Sequence, residues 1–113
     1  MPDLIDVICQ AAADKKAEEL ATLPLSGRTI VADAFVIATG RSKVQTRSIA
    51  DGISEAVRSA GYGAVRTEGY AEGGWILIDA GSIVVHVFTP EQRAFYNLER
   101  LWGAGETRAV QSS

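Results

Sequence analysis

A six-residue apolar run, Ala34–Thr39, constrains the fold more than any other part of the sequence. Its sequence is Ala-Phe-Val-Ile-Ala-Thr, so neither side of a strand built from it could face water. A strand of this kind lies in the interior of a sheet that is covered on both faces. The run ends in a Gly-Arg-Ser turn, where Ser42 and Gln45 form a capping box that predicts the start of a helix. A strand that leads directly into a helix favours an α/β fold.

Hydrophobic periodicity predicts the other elements. Apolar residues at helical spacing over residues 4–23 predict a first helix, which Pro24 would end. The helix after Ser42 carries one apolar stripe and meets Gly61, a residue suited to a helix C-terminus. Residues 29–31 and 64–68 are predicted as short strands, and residues 75–79 and 82–88 as a hairpin. The expected fold is a single α/β domain with a mixed sheet of about five strands flanked by helices.

The end of the chain is predicted as a helix followed by a tail. A threonine followed by proline at residues 89–90 is typical of a helix start. The helix is expected to continue to about Trp102 and to turn Phe95, Leu98 and Leu101 toward the core. The residues after it are small and polar, with nothing to bury. We therefore expect one domain over residues 1–103 and a disordered tail over residues 104–113.

Charge is distributed unevenly along the chain, whose formal net charge is −3. Residues 28–66 carry six basic and three acidic side chains, whereas residues 67–106 carry six acidic and two basic ones. Proteins that depend on phosphate contacts need a basic surface, so nucleic acid could be met only at an edge. Arg41, Lys43 and Arg47 are the candidates for such a contact, and a solvated helix face is the alternative interpretation for them. The acidic carboxyl half suits a basic protein partner instead.

Several classes of protein are excluded by the composition of the chain. No apolar run approaches the roughly 20 residues that a membrane span needs. The first residues are acidic where a secretory signal is basic, so we expect a cytoplasmic protein. Cys9 is the single cysteine and permits no internal disulfide, and together with the single histidine, His86, it does not form a known zinc site. We expect neither a metal nor a cofactor.

Two places could support catalysis, and each lacks a required group. His86 lies inside a predicted strand and could pair with Asp79 across the hairpin, but no nucleophilic serine turn accompanies them. The turn at residues 40–42 could hold a phosphate at a helix N-terminus, as in nucleotidyltransferases. Those enzymes also use paired carboxylates to hold metal ions, and only Glu68 stands near the corresponding strand. We therefore expect no enzyme, and interpret His86 as a structural imidazole or as part of an interface.

Both tryptophans stand in positions that suit binding as well as packing. Trp75 follows two glycines close to Glu72, and Trp102 closes the last predicted helix. Large aromatic side chains near acids are typical anchors of protein-binding surfaces. Core packing is the alternative interpretation for both, and the same choice applies more weakly to Tyr70 and Tyr96.

Several of these motifs, in this order, resemble a known family. Residues 32–42 are similar to the Asp-x-Phe-Val-Ile-Ala-Thr-Gly-x-Ser signature of the ribosomal silencing factors, the Iojap or RsfS family. The resemblance continues at Glu68-Gly69, residues 74–79, Gly81, residues 84–87, Tyr96 and the Glu-x-Leu-Trp sequence of residues 99–102. It covers about residues 3–103. The chain departs from the pattern at Ser82, where the family usually has an acid.

The resemblance implies a translation regulator rather than an enzyme. Members of the family bind the large ribosomal subunit through its ribosomal protein fourteen, block joining of the small subunit and so repress translation. The implied fold is nucleotidyltransferase-like without the catalytic carboxylates, and the free protein is often a homodimer. Carried over to this chain, the resemblance implies a binding face built from Glu68, Trp75, Leu77, Asp79 and His86, with marginal contact to ribosomal RNA. A large-subunit assembly factor and a nucleotide-handling enzyme remain alternative interpretations.

Overall fold

A computed structural model of the protein describes residues 3–24, 33–96 and 108–109. The elements in chain order are α1 (Leu4–Asp14), β1 (Glu18–Pro24), β2 (Ala34–Thr39), α2 (Lys43–Ser59), β3 (Arg66–Glu68), β4 (Trp75–Asp79), β5 (Ile83–Phe88), α3 (Pro90–Tyr96) and β6 (Arg108–Ala109). The strands form one sheet in the order β3-β4-β5-β2-β1-β6. The expected α/β domain with a mixed sheet is confirmed, and the two-residue β6 adds a sixth strand to it.

The apolar strand β2 lies in the interior of the sheet, as its sequence predicts. It pairs in parallel with β5 on one side and antiparallel with β1 on the other. Five of its six residues are buried. A parallel pair needs a long crossover connection, which is supplied here by α2, β3 and β4. This crossover brings β2 next to a strand that lies more than 40 residues later in the chain.

One face of the sheet is covered by α1 and α2. The apolar stripe predicted for α2 is confirmed at Ile49, Ile53 and Val57, which are fully buried, while Ala56 and Ala60 are half-buried. Both helices pack against alternate residues of β2, β4 and β5, and together these side chains form the main hydrophobic core. No helix in the described ranges is long and apolar enough to cross a membrane.

The first helix is shorter than the sequence predicts. It ends at Asp14 rather than near residue 23, because Lys16 adopts a left-handed backbone with φ 68°. The N–H groups of Lys16 and Ala17 donate to carbonyls of the last turn of α1, as in a Schellman cap. Glycine is the usual residue at that position, so the lysine provides no sequence signal for the helix end.

Tertiary contacts also explain why the chain becomes a strand after α1. The side-chain amide of Gln45, in the first turn of α2, donates to the carbonyls of Lys15 and Lys16. The chain then enters β1, which pairs with β2 and buries the four residues 20–23. Pairing along a central strand outweighs the helix propensity of this segment. The predicted strand at residues 29–31 lies outside the described residues.

The predicted hairpin of β4 and β5 is confirmed. The two strands pair antiparallel, with Ile76 and Ile78 turned toward the helices and Trp75, Leu77 and Asp79 turned to the opposite face. The edge strand β3 is limited to residues 66–68 and is therefore shorter than the predicted 64–68.

The last helix begins as predicted, but Phe95 does not face the core. α3 starts at Pro90, and the N–H of Arg93 donates to the carbonyl of Thr89. Phe95 is 78% exposed, so its predicted core position is wrong. The guanidinium of Arg93 donates to the Thr39 hydroxyl, which turns that side of α3 to the sheet and leaves Phe95 on the outer side. Leu98, Leu101 and Trp102 lie outside the described residues.

Part of the predicted tail takes part in the sheet. Residues 108–109 form β6, which pairs antiparallel with Ala21 and Thr22 of β1. The other residues of the segment 104–113 lie outside the described ranges. The domain boundary at residue 103 therefore stays a prediction.

Candidate functional site

The sheet face opposite α1 and α2 carries a group of aromatic rings, and we call it the aromatic face. Phe35, Trp75 and Leu77 on this face are half-buried, whereas Phe88 is fully buried. Because side chains alternate along a strand, the strands that form the main core also hold this face in place. Its members on β2, β4 and β5 are Phe35, Ile37, Trp75, Leu77, Asp79, Val84, His86 and Phe88.

All five residues predicted to bind a partner lie on this side of the sheet. Leu77 stands opposite Glu68 of β3 on one side and opposite His86 of β5 on the other. Trp75 and Asp79 lie two positions from Leu77 along β4, so their side chains leave the same face. The five side chains therefore form one patch across three neighbouring strands. Glu68 is exposed, His86 is almost fully buried, and the other three are half-buried.

A hydrogen bond joins Trp75 to His86. The indole Nε1–H donates to the imidazole Nδ1 over 3.0 Å, from β4 to β5. The rings of Phe35 and Phe88 contact the imidazole, with centroids 4.5 and 6.1 Å from it, and the Trp75 ring lies 5.1 Å from that of Phe88. Aromatic pairs at these separations attract each other beyond simple burial. The indole is therefore held in one orientation with part of its surface exposed.

His86 is a neutral imidazole whose tautomer is determined by its neighbour. Only 4% of the residue is exposed, and burial lowers the pKa of His86 from 6.5 to about 4. An indole N–H can only donate, so Nδ1 accepts and the proton of the ring is on Nε2. Nε2 has no hydrogen-bond partner within the described residues. Asp79 lies opposite Val84 rather than His86, so the register does not bring the aspartate and the histidine together as a catalytic pair would require.

Carboxylates border the patch. Glu68 ends the edge strand and is exposed to solvent. Asp79 accepts a hydrogen bond from the Gly81 N–H over 2.9 Å, which stabilises the turn into β5. Arg66 lies opposite Asp79 in the register of β3 and β4, so this border also contains a cation. Ser82, where the resembled family usually has an acid, is exposed beside the same turn.

The loop between β3 and β4, residues 69–74, is tied to α2. Arg47 donates to two carbonyls of the loop at 3.0 and 2.7 Å, and the buried Thr46 hydroxyl donates to the Gly73 carbonyl at 2.6 Å. Gly69 has φ 79°, and a Cβ at this position would overlap the carbonyl oxygen of Trp75. These contacts determine where β4 begins and therefore where Trp75 stands.

The turn at residues 40–42 is a capped helix start. The Ser42 hydroxyl accepts from the Gln45 N–H at 3.2 Å, which confirms Ser42 as the N-cap. The Gln45 side chain reaches back as predicted, but it accepts at 2.7 Å from the N–H of Arg41, one residue before the N-cap, rather than from that of Ser42. A cavity of about 280 Å³ lies beside the turn with Glu91 as the carboxylate in its lining, and Arg41 pairs with Glu18 at 2.6 Å. The described ranges contain no group of three His, Cys, Asp or Glu side chains that could hold a metal ion. Two N–H groups of this turn, those of Arg41 and Gln45, are thus already engaged within the cap.

Sequence reasoning missed part of the aromatic face. Phe35, Val84 and Phe88 belong to the same patch, although only residues of β3 and β4 and His86 were predicted for it. Alternation along β2 and β5 identifies these residues once the two strands are known to be neighbours. That pairing depends on the crossover through α2 and is not visible in either strand alone. Tyr70 lies instead in the loop tied to α2.

Comparison with known proteins gives a family for the chain. Residues 1–113 match the family described as ribosomal silencing factor during starvation. A relative from Zymomonas mobilis, named ribosomal silencing factor RsfS, is 41% identical over 103 residues, which are 91% of this chain and 77% of the relative. A relative of the same name from Halalkalibacterium halodurans is 41% identical over 105 residues, which are 93% of this chain and 90% of the relative.

The fold leads to the same family. A crystal structure of a protein from Chromobacterium violaceum is similar to this chain with a TM-score of 0.87 and 31% identity, covering 96% of this chain and 91% of that one. The similarity therefore extends over the whole domain rather than over one motif. The resemblance first seen in separated motifs is confirmed, and the chain belongs to the family of ribosomal silencing factors.

Proposed function

We propose that this protein represses translation in the cytoplasm by binding the large ribosomal subunit through ribosomal protein fourteen of that subunit and blocking the small subunit from joining. The names of the relatives support the silencing role. The choice of subunit, the partner and the steric block are our inference. The observation that carries it is the aromatic face, where Trp75 and Leu77 are half-buried, Glu68 lies opposite Leu77, and Asp79 follows Leu77 two positions along β4.

Trp75 and Leu77 would supply the apolar contact with the partner. A large aromatic side chain that loses its remaining exposure on binding is a typical energetic anchor of an interface. The hydrogen bond to His86 and the contact with Phe88 already restrain the indole, so little conformational freedom is left to lose. His86 is too deeply buried to touch a partner directly, and it would act as a positioning residue for Trp75.

The carboxylates would orient a basic ribosomal protein on this face. Glu68 is exposed and Asp79 half-buried, so neither pays the full desolvation cost of an ion buried at an interface. Charges of this kind accelerate encounter and select partners more than they tighten the complex. With Ser82 uncharged, Asp79 supplies the negative charge at this turn.

The mechanism is steric, so we propose no reaction and no cofactor. The bound domain would occupy the space that the small subunit needs. Contact with ribosomal RNA would be marginal, because Arg41 is paired with Glu18 and Arg47 is engaged with loop carbonyls. A homodimer of the free protein that used the aromatic face would cover the same surface, so the dimer and the ribosome-bound form would exclude each other.

Co-sedimentation with separated ribosomal subunits tests this proposal. We expect the wild type to sediment with the large subunit alone and Trp75→Ala to lose about thirtyfold in affinity, or about 2 kcal/mol. Tyr62→Ala is the matched control, because it also removes a partly exposed ring, at the end of α2 on the other side of the sheet. When small subunits are added to the wild-type complex, fewer joined ribosomes should form.

Three outcomes would count against parts of the proposal. Equal binding by Trp75→Ala and Tyr62→Ala would show that the aromatic face does not bind the large subunit. Wild-type protein that remains at the top of the gradient would overturn ribosome binding itself. Binding that leaves subunit joining unchanged would favour the alternative role in large-subunit assembly.

A further inference from the structure

A groove runs between α1 and α2 on the side of the molecule opposite the aromatic face. Its volume is about 630 Å³, and its lining comes from these two helices and from Lys15 at the end of α1. The floor consists of Val7, Ala11 and Ala56, which are small or apolar, and of Gly52, which lies beneath the stem of Lys15. A floor of this kind lets another segment approach the two helices closely, as in complexes where a helix lies in a groove.

Carboxylates stand along both walls of this groove. Asp6 and Asp14 lie two turns apart on α1, and Asp51 and Glu55 lie one turn apart on α2. The charges therefore recur with the helical pitch of about 5.4 Å. All four residues are exposed. With Lys15 as the cation of the lining, the groove carries a net charge of −3, which equals that of the whole chain.

Lys15 shows which kind of side chain the groove accepts. A Cβ built on Gly52 would lie 2.9 Å from the Cγ of Lys15 and 3.0 Å from its Cε, so the lysine stem lies across α2 where a side chain would otherwise stand. Long cationic side chains bury their stems on apolar surface while their charge stays in water. One end of the groove is thus already occupied by a lysine stem that reaches it from the chain's own α1.

We propose that this groove binds a basic amphipathic helix of a second protein. Lysines or arginines along both flanks of that helix, one turn apart, would meet the carboxylates of the two walls. Small apolar residues between them would lie on the floor. This inference goes beyond the proposed function and does not depend on it, because the sheet separates the groove from the aromatic face. The protein would hold a basic protein segment on one side and the ribosomal subunit on the other.

Charge and geometry favour this occupant over others. A nucleic acid would be repelled by the carboxylates. In the described part of the chain, these side chains do not form a group that could hold a metal ion. The Tyr70 hydroxyl donates to Asp51 over 3.0 Å, which orients that carboxylate on the wall without neutralising it. The groove is therefore suited to several separate cations on one polypeptide.

A designed peptide binding to the intact protein tests the proposal. The probe is a helical peptide of about 18 residues with lysines on both flanks of an alanine and leucine stripe, and the control peptide has glutamates in place of the lysines. We expect only the lysine peptide to bind, and its affinity to fall about tenfold between about 50 and about 300 mM salt. NMR shifts on titration should affect the amides of Val7, Gly52 and Ala56.

Two matched pairs of substitutions separate the groove from general charge attraction. Asp6→Asn with Glu55→Gln should weaken the peptide about tenfold, because one carboxylate is lost from each wall. Asp33→Asn with Glu72→Gln makes the same charge change on exposed residues outside the groove and should weaken it less than about twofold. Trp75→Ala should bind the peptide like the wild type. The variant with Asp6→Asn and Glu55→Gln, which we call the groove pair, should still sediment with the large subunit. Failure of one proposal is thereby distinguished from failure of the other.

Several results would overturn the groove proposal. The first is that the lysine peptide does not bind. The second is that both pairs of substitutions weaken its affinity equally, and the third is that the NMR shifts affect β4 instead of the helices. Self-association of the wild type that disappears in the groove pair would identify a second copy of this chain as the occupant and would also overturn it.

Discussion

Trp75 and His86 behave as one unit, although they lie on different strands. The imidazole is almost without exposure, and its Nδ1 accepts the hydrogen bond that holds the indole. A protonated imidazole carries N–H groups on both nitrogens, so the indole N–H would then face a second donor. The charge state of His86 is therefore coupled to the orientation of Trp75, the side chain that we propose as the anchor for the partner.

Acidification should destabilise the fold through His86. Its pKa is about 4 in the folded protein and 6.5 ordinarily, so the unfolded chain takes up the proton first as the pH falls. The free energy of unfolding is highest above about pH 6.5, falls progressively as the pH drops from about 6.5 to about 4, and below that loses nothing further through His86. Between about pH 7 and about pH 4.5 the loss amounts to about 2.5 kcal/mol, measurable by urea unfolding.

The variant His86→Asn isolates this effect from the titration of carboxylates. Asparagine places an acceptor close to the position of Nδ1 but does not titrate in this range. We expect the variant to be less stable than the wild type at neutral pH and to lose less stability on acidification. Equal losses in the two proteins would show that the carboxylates account for the whole pH dependence.

Among the secondary-structure elements, the beginning of α2 has three structural tasks. The Gln45 side chain accepts from the Arg41 N–H just before the helix and donates to the carbonyls of Lys15 and Lys16 at the end of α1. Thr46 and Arg47, in the next two positions, hold the loop that leads into β4. A single helical turn therefore determines where α1 ends and where β4 begins. β4 starts at Trp75, and we propose that it binds the partner.

Removing the Thr46 hydroxyl should release the loop from α2. Thr46→Val keeps the shape of the side chain but leaves the Gly73 carbonyl unpaired, at an expected cost of about 1–3 kcal/mol in the free energy of unfolding. Amide hydrogen exchange over residues 69–75 should become about tenfold faster, which corresponds to about 1.4 kcal/mol. Unfolding by urea and hydrogen exchange by mass spectrometry measure the two effects.

Two further variants provide the controls for this prediction. Thr46→Ser keeps the hydroxyl and should leave exchange in the loop close to that of the wild type, with about 1 kcal/mol lost for the missing methyl. Thr67→Val makes the same change on an exposed residue of β3 and should affect neither measurement. Unchanged exchange in Thr46→Val would contradict the role assigned to the hydroxyl.

For the molecule as a whole, one sheet serves two surfaces with different properties. Its helix-covered side contains the main core, and the aromatic face uses the alternate residues of the same strands. Both layers are built on the same strands. If one layer loses its packing, the strands that support the other layer are disturbed. The two sides are therefore expected to unfold together, even though we propose different partners for them.

Coincident unfolding of the two layers is testable with Trp75 as a local probe. In a Trp102→Phe background, tryptophan fluorescence reports the aromatic face alone, while far-UV circular dichroism reports mainly the helices. We expect the two signals to give the same urea midpoint within error. A fluorescence transition that clearly precedes the loss of helix signal would show that the aromatic face unfolds as a separate unit.

Patterns within short stretches of the sequence predicted several elements of the fold. The apolar run predicted the central strand, the turn signals predicted the hairpin of β4 and β5, and Ser42 predicted the start of α2. Each of these signals depends on residues that are close in sequence and on backbone geometry that repeats over a few positions. The order of motifs was also specific enough to indicate the family. The five residues expected at the binding face lie on one side of the sheet because four of them belong to the hairpin and the fifth to its paired edge.

Other features of the fold were specified only by the tertiary structure, because the contacts responsible for them join segments that are distant in sequence. Residues 18–24 form a strand instead of continuing a helix, since β2 offers hydrogen bonds along its open side. Phe35 joins the aromatic face because β2 pairs with β5, and Phe95 stays exposed because Arg93 takes the side of α3 that faces the sheet. The burial of His86 likewise comes from neighbours on three strands. Sequence periodicity specifies which residues share a face, whereas the meeting of distant segments specifies what that face contacts.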